Sequence, residues 1–389
     1  MKSTYFIYFF ILLMSLQSSA QNSDLPFSSI DMQAMCKSLG TEKRIVGLGE
    51  STHGTKEFTT IRSEIVKELV TVYNYRALVL EAEYAPATKI NEYILTGKGD
   101  IERLLTNLRL WPWIHEDFLA LLRWLRSYNE LHPTSQVQFY GMDSQYSGLY
   151  AKKDSILLYY PEIGKTMFEI IESTGKPKEK IESLQLLSTK MSENAKSIDL
   201  QLQYFILCHI NKLSKLVKQN YNIRDENMAH FVQLLQKKNN DTLKMVLWGH
   251  NDHISKRGAS LNERTALGHY LSLDYANEYS SVGLDFEEGV FMAVDSEKMK
   301  ERKIESFNLS PTKETLASTI DFREKDLVIV NCKSLRKSFF VNAIGAVYVM
   351  KPDSRNSFYS KITKDEQYDY LIISQKSTCI NLLPMYLNN

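Results

Sequence analysis

The chain has 389 residues, of which 43% are hydrophobic, 24% charged and 11% aromatic. That composition excludes a disordered or fibrous protein and allows one large domain or two ordinary ones. Lys and Arg number 47 against 46 Asp and Glu, so there is no excess of positive charge for general nucleic-acid binding.

The N-terminus differs from the rest. Lys2 is followed by an apolar run from Tyr5 to Leu16 and by the small residues Ser18, Ser19 and Ala20. This is the layout of a secretory signal peptide (residues 1–20) with cleavage after Ala20, and it predicts an exported, periplasmic or secreted protein. An uncleaved anchor is the alternative, although the run falls short of the roughly 20 residues needed to cross a bilayer. No later stretch is apolar and long enough to span a membrane. Residues 21–30 read as a linker. The four cysteines, Cys36, Cys208, Cys332 and Cys379, form no C-x-x-C pair and no disulfide framework.

In chain order, residues 44–49 form a short apolar run ending in glycines, which reads as a buried strand. Residues 55–72 carry Ile61, Ile65, Leu69 and Val72 at helical spacing. A strand at 76–81 and short helices at 88–95 and 101–108 follow. Residues 115–131 are a strongly amphipathic helix stopped by Pro133, and 137–142 is a third strand. Residues 150–240 lack strand patterning and read as several helices, a helical insertion or cap. A strand at 243–248, a helix at 264–273 and strands at 278–286, 291–294, 327–331, 346–350 and 368–374 complete the pattern. Alternating strands and helices predict an α/β fold in residues 21–389: a largely parallel central sheet flanked by helices, with the helical insertion at about 150–240.

In such sheets ligands bind beyond the carboxyl ends of the strands. Glu50 and His53 follow the first strand, Glu81 ends the second, Asp143 follows the third, and His250 and His253 follow the strand ending at Trp248. In Gly47–Gly54 (GLGESTHG) a Gly-rich turn places a carboxylate and an imidazole three residues apart, a pairing suited to proton transfer. Ser51 or Thr52 could equally be the N-cap of the next helix. The pair His250 and His253 could bind a metal, stabilise an oxyanion or be ordinary histidines. The cluster Arg224-Asp225-Glu226 reads on its own as a solvated helix start. Trp111 and Trp113 pack in a core or offer a large apolar ligand a stacking face. G-x-S-x-G fails because His53 replaces the last glycine, H-E-x-x-H is absent, and Tyr159 breaks the phosphate-loop pattern before Gly164-Lys165-Thr166.

These residues carry a resemblance. The words GLGESTHGTKEF, LVLEAE, INEYILTGKGD, WLRSYNE with VQFYGMDSQ, YNIRDENMA and WGHNDHIS run in order from about residue 44 to 254 and are similar to those of the erythromycin esterase family. LGHYL at 267–271 continues the pattern, and the likeness fades beyond about 290. The resemblance implies hydrolysis of the lactone ester of a macrolide, a small-molecule substrate, and hence macrolide resistance. It places the family's catalytic histidine on His53, its partner acid on Glu50, its arginine on Arg62, its second acid on Glu81, its paired histidines on His250 and His253 and the RDE arginine on Arg224.

Together these readings predict an esterase without a covalent intermediate and without a cofactor. His53 is the general base for water and Glu50 orients it. His250, His253 and Arg62 face the oxyanion, and Glu81 orders water or the histidine pair. Arg224, Trp111, Trp113 and Asp143 contact substrate. The same residues also suit a metal-dependent hydrolase of another ester or a non-catalytic periplasmic binding protein, and they carry no signature of an oligomeric state.

Overall fold

The computed structural model describes residues 27–145, 153–217, 223–257 and 265–387, apart from 302, 313, 324 and 350–357. The signal segment expected at residues 1–20 lies outside them. The elements run as follows. Strand β1 (Ser28–Ile30) leads into helix α1 (Met32–Glu42), where the Asp31 side chain accepts the Ala34 amide at 2.6 Å. Next come β2 (Ile45–Leu48), α2 (Lys56–Tyr73), β3 (Ala77–Leu80), α3 (Tyr84–Thr96), α4 (Ile101–Thr106), α5 (Glu116–Leu131) and β4 (Gln138–Gly141). Five helices follow: α6 (Lys153–Tyr159), α7 (Pro161–Glu172), α8 (Pro177–Met191), α9 (Leu200–Ser214) and α10 (Ile223–Lys238). Then come β5 (Met245–Trp248), α11 (Asn251–Ile254), α12 (Leu267–Tyr275), β6 (Tyr279–Asp295), β7 (Ile304–Leu309) and β8 (Leu327–Asn331). The chain ends with β9 (Phe339–Asn342), β10 (Val347–Tyr348), β11 (Tyr359–Ile362), β12 (Tyr370–Ser377) and α13 (Pro384–Leu387).

The main sheet has the order β1-β8-β12-β6-β2-β5-β3-β4, with β7 and β10 also paired to β6. From β4 to β12 every neighbour is parallel, while β8 and β1 continue the sheet antiparallel. Strands buried on both faces read as continuous apolar runs, and alternate residues explain why. Val46, Leu48, Leu78, Leu80, Val246 and Trp248 join α1, α2 and α5 in one core cluster. Ile45, Ala77, Val79, Met245 and Leu247 join α9 and α10 in another. The helical stretch between β4 and β5 therefore supplies one of the two layers that cover the sheet.

Three expectations need correction. Ser28–Ile30 of the expected linker form an edge strand on β8. Helix α3 begins at Tyr84, ahead of position 88, because Pro86 falls in its first turn, where a missing N–H costs nothing. The two strands expected at 278–286 and 291–294 are one 17-residue strand, β6. Gly289 lies between its halves with φ 131°, and a Cβ there would meet the Ser377 carbonyl at 2.4 Å. The sequence thus looks interrupted where the strand takes a conformation that suits glycine. All four cysteines are free thiols, with Cys36, Cys208 and Cys332 buried. Among the described residues no helix is long and apolar enough to cross a membrane.

Candidate active site

The parallel strands β2, β5, β3 and β4 end side by side, and their following residues converge. The 49–55 turn lies directly on β6: a Cβ on Gly54 would sit 1.9 Å from the Met292 carbonyl, so only glycine permits this approach. Met292 N donates to the Gly54 carbonyl at 3.1 Å and Ile380 N to the same carbonyl at 3.3 Å. Neither Ser51 nor Thr52 caps α2. Thr55 occupies that position without a side-chain bond, and Thr52 Oγ1 accepts the Gly54 amide at 3.1 Å.

His53 and Glu50 meet inside this turn. His53 Nδ1 donates to Glu50 Oε1 at 2.7 Å, which leaves the lone pair of the neutral ring on Nε2. Arg62 Nη2 donates to the other oxygen, Glu50 Oε2. Arg62 reaches it from α2, 0% exposed, with its guanidinium 4.1 Å from the Trp248 ring centre. Burial lowers the Arg62 pKa to about 10 against the pull of Glu50, so it stays charged at neutral pH. His53 is 9% exposed, and its ring packs edge-on against Trp113 at 5.6 Å and beside His250 at 5.3 Å.

A second network stands beside the first. Glu81 Oε2 accepts the His250 amide at 2.8 Å, and Glu81 Oε1 accepts from Arg224 Nη2 at 2.7 Å. Arg224 grips Asp143 with Nε at 3.0 Å and Nη2 at 2.8 Å. His253 Nδ1 donates to Asp225 Oδ1 at 2.7 Å, while Nε2 lies 3.2 Å from Glu81 Oε1 and 2.9 Å from Arg224 Nη1. The contact with arginine favours a lone pair on Nε2, and the contact with glutamate favours a proton. Burial opposes the charge, but two carboxylates outweigh one guanidinium, and the His253 pKa is pushed up to about 10. Burial would raise Glu81, yet His253 and Arg224 hold it well below the usual carboxylate range.

His250 is different. Its Nδ1 accepts the Asp252 amide at 3.2 Å and its Nε2 donates to the Ser51 carbonyl at 3.2 Å. Burial lowers its pKa, and Asp252 only partly opposes this, so the ring is neutral with the proton on Nε2.

The structure thus gathers Glu50, His53, Arg62, Glu81, Asp143, Arg224, His250, His253 and Trp113. Trp113 also donates its indole N–H to the Glu81 carbonyl at 3.1 Å. Four expectations change. His250 donates its single N–H to the Ser51 carbonyl and does not face an oxyanion. Arg62 is wholly buried behind Glu50 and cannot face an oxyanion. Trp111 packs in a separate apolar cluster with Val294 and Ile380, and offers no stacking face there. Asp143 spends both oxygens on Arg224 and anchors that side chain. Ser51 is 0% exposed and unavailable as a nucleophile. Asp225 was missed as a site residue because a carboxylate in the first turn of a helix is ordinary. Asp285 and Asn342, beneath the turn, were also missed. An acid inside the apolar strand run around Leu284 was the available signal. Among the described residues no group of three or more His, Cys, Asp or Glu is arranged to hold a metal ion.

Comparisons with known proteins agree with this architecture. A protein from Bacillus cereus has a solved structure with a TM-score of 0.71 at 22% identity, covering 92% of this chain and 95% of that one. A structure described as a succinoglycan biosynthesis protein gives 0.69 at 21%, covering 92% and 94%. A variant of the erythromycin esterase EreC in its open conformation gives 0.61 at 15%, covering 90% and 95%. At these identities the likeness is one of fold. Erythromycin esterase type I of Escherichia coli is 30% identical over 87 residues, 22% of this chain and 20% of that protein, so the match spans about a fifth of the relative's length. The erythromycin esterase family profile matches residues 70–182 and 187–377. It begins after the Gly-rich turn and continues well past residue 290, where the motif words had faded. With that profile covering most of its length, the chain belongs to the erythromycin esterase family.

Proposed function

We propose that this protein is a carboxylic ester hydrolase that opens the lactone of macrolide antibiotics by activating water on His53. The observation that carries the reading is the orientation of the ring: Glu50 Oε1 accepts the hydrogen bond of Nδ1–H at 2.7 Å, so Nε2 is the basic nitrogen. Water gives a proton to Nε2 and its oxygen attacks the acyl carbon. The imidazolium is stabilised by Glu50, which Arg62 in turn balances. The proton then passes to the departing ring alkoxide, and the product is a hydroxy acid heavier than the substrate by one water. Positive charge for the tetrahedral oxyanion comes from Arg224 and His253, partly exposed at 24% and 15% of their side-chain surface. Residues 1–20 are proposed to export the enzyme, which would then confer macrolide resistance from the periplasm or outside the cell.

The test is mass spectrometry of a macrolide panel incubated with the purified mature chain in heavy-oxygen water. One added water, labelled in the new carboxylate, supports the mechanism. Label in the alcohol, or a product carrying a phosphate, overturns it. No mass change with any macrolide removes the substrate assignment.

A further inference from the structure

Asp285 sits on β6 at the level where the parallel strands end, with no exposed surface. Its oxygens are filled by uncharged donors. Asn342 Nδ2 and Phe286 N donate to Oδ1, both at 2.8 Å, and Asn342 N donates to Oδ2 at 3.1 Å. Burial raises its pKa to about 6, and hydrogen bonds from Asn342, the Phe286 amide and the Ser51 hydroxyl only partly offset this. A buried carboxyl held in this way is costly, and an amide would staple two strands with less desolvation.

What lies downstream of Asn342 gives it a purpose. Two and three residues on, Ile344 N and Gly345 N donate to the Ser51 carbonyl at 2.7 Å and 3.1 Å. The Gly345 carbonyl accepts from His53 N at 3.3 Å. The Ser51 carbonyl is also the acceptor that holds the His250 ring, through Nε2 at 3.2 Å. A carbonyl oxygen has two lone pairs and here meets three donors, of which the imidazole is the most distant. The direction of that carbonyl, and with it the His250 tautomer, depends on where the 344–345 amides are held.

We propose that Asp285 is a positioning residue of the hydrolytic site. Through Asn342 it pins the 342–345 segment against the Ser51 carbonyl, which fixes the main chain at His53 and the ring of His250. The inference rests on the reading of this site as hydrolytic, and it adds a control point that does not touch substrate. Replacement of Asp285 leaves Glu50, Arg62 and the Glu81 network in place, so its effect travels by geometry alone.

The experiment uses the full mature chain labelled with ¹⁵N-histidine. His250 is assigned by comparison with a His250→Gln variant. In the parent the His250 signals are those of a fixed Nε2–H tautomer. In Asp285→Asn the introduced NH₂ faces the Asn342 amide, and in Asn342→Ala the side-chain link is cut. Both should show averaged shifts, with a growing share of the Nδ1–H form. On any ester the parent hydrolyses, kcat should fall about 10–100-fold, as when the groups that hold a metal-ligating histidine are removed, while KM stays within about threefold. If Asp285→Asn does not fold, Asn342→Ala carries the test. Unchanged His250 signals in a folded variant overturn the proposal, and so does a rise in KM at constant kcat. Shifted signals in a protein that turns over no ester support the link and remove the hydrolytic reading instead.

Discussion

Arg62 has no exposed surface, and its work is to balance Glu50. Arg62→Met should leave a buried carboxylate facing only His53. Breaking a buried pair in this way typically costs about 3–5 kcal/mol, and urea unfolding of the variant should show a loss of that order. His53→Ala removes a ring packed on Trp113 and one partner of Glu50, but leaves Arg62 to balance that acid. It should lower kcat by about 10²–10⁴-fold, the contribution of a general base, with a smaller loss of stability than Arg62→Met. A loss smaller than tenfold in steady-state assays would falsify its assignment as the base. Each acid of the site is already bonded to an arginine, a histidine or an amide. Activity should therefore survive exhaustive dialysis against a chelator. Loss with EDTA, restored by one divalent metal, would return the reaction to metal chemistry.

At the scale of elements, β6 binds the halves of the molecule together. Its first part pairs parallel with β2 and β12, and its second part carries β7 and β10. Gly289→Ala would force a Cβ to 2.4 Å from the Ser377 carbonyl in a conformation side chains rarely adopt. A loss of about 1–3 kcal/mol is expected from such strain, visible as a lower denaturant midpoint with unchanged slope. The parallel strands β2, β3 and β5 were legible in the sequence because strands covered on both faces have little choice but to be apolar. The site residues at their ends followed from topology and from ordered motif words. The edge strand β4 was also read, but β1, β7, β9 and β11 were not legible. β1 and β7 are partly exposed and β9 has only four residues, so their pairing is settled by distant partners and leaves a weak local pattern. Trp111 and Trp113 show the same limit within one turn. The sequence gives them identical chemistry, and only packing sends one to His53 and the other to a separate cluster.

Across the whole molecule the charge network ties stability to pH. Glu81 is held below its ordinary range, so its contribution is present above about pH 4.5 and is lost as pH falls through the folded-state value. His253 is raised from 6.5 to about 10, so its contribution is full below pH 6.5 and is lost as pH rises towards 10. His250 is lowered, which costs stability as pH falls below 6.5. The decline between pH 6.5 and 10 should therefore flatten in His253→Gln when unfolding midpoints are followed across pH. A parent curve already flat in that window would show that His253 is not held charged.

The turn that carries Glu50 and His53 rests on Met292, Gly345 and Ile380, residues from the far end of the chain. During synthesis Glu50 and His53 leave the ribosome early, with most of the motif words following them, yet the backbone that shapes their turn emerges last. Contacts so distant in sequence form late and slowly. The nascent chain can therefore hold every motif of an esterase and still have no assembled catalytic turn until its final strand is in place. The C-terminal segment, poor in recognisable motifs, thus decides when that turn takes its shape.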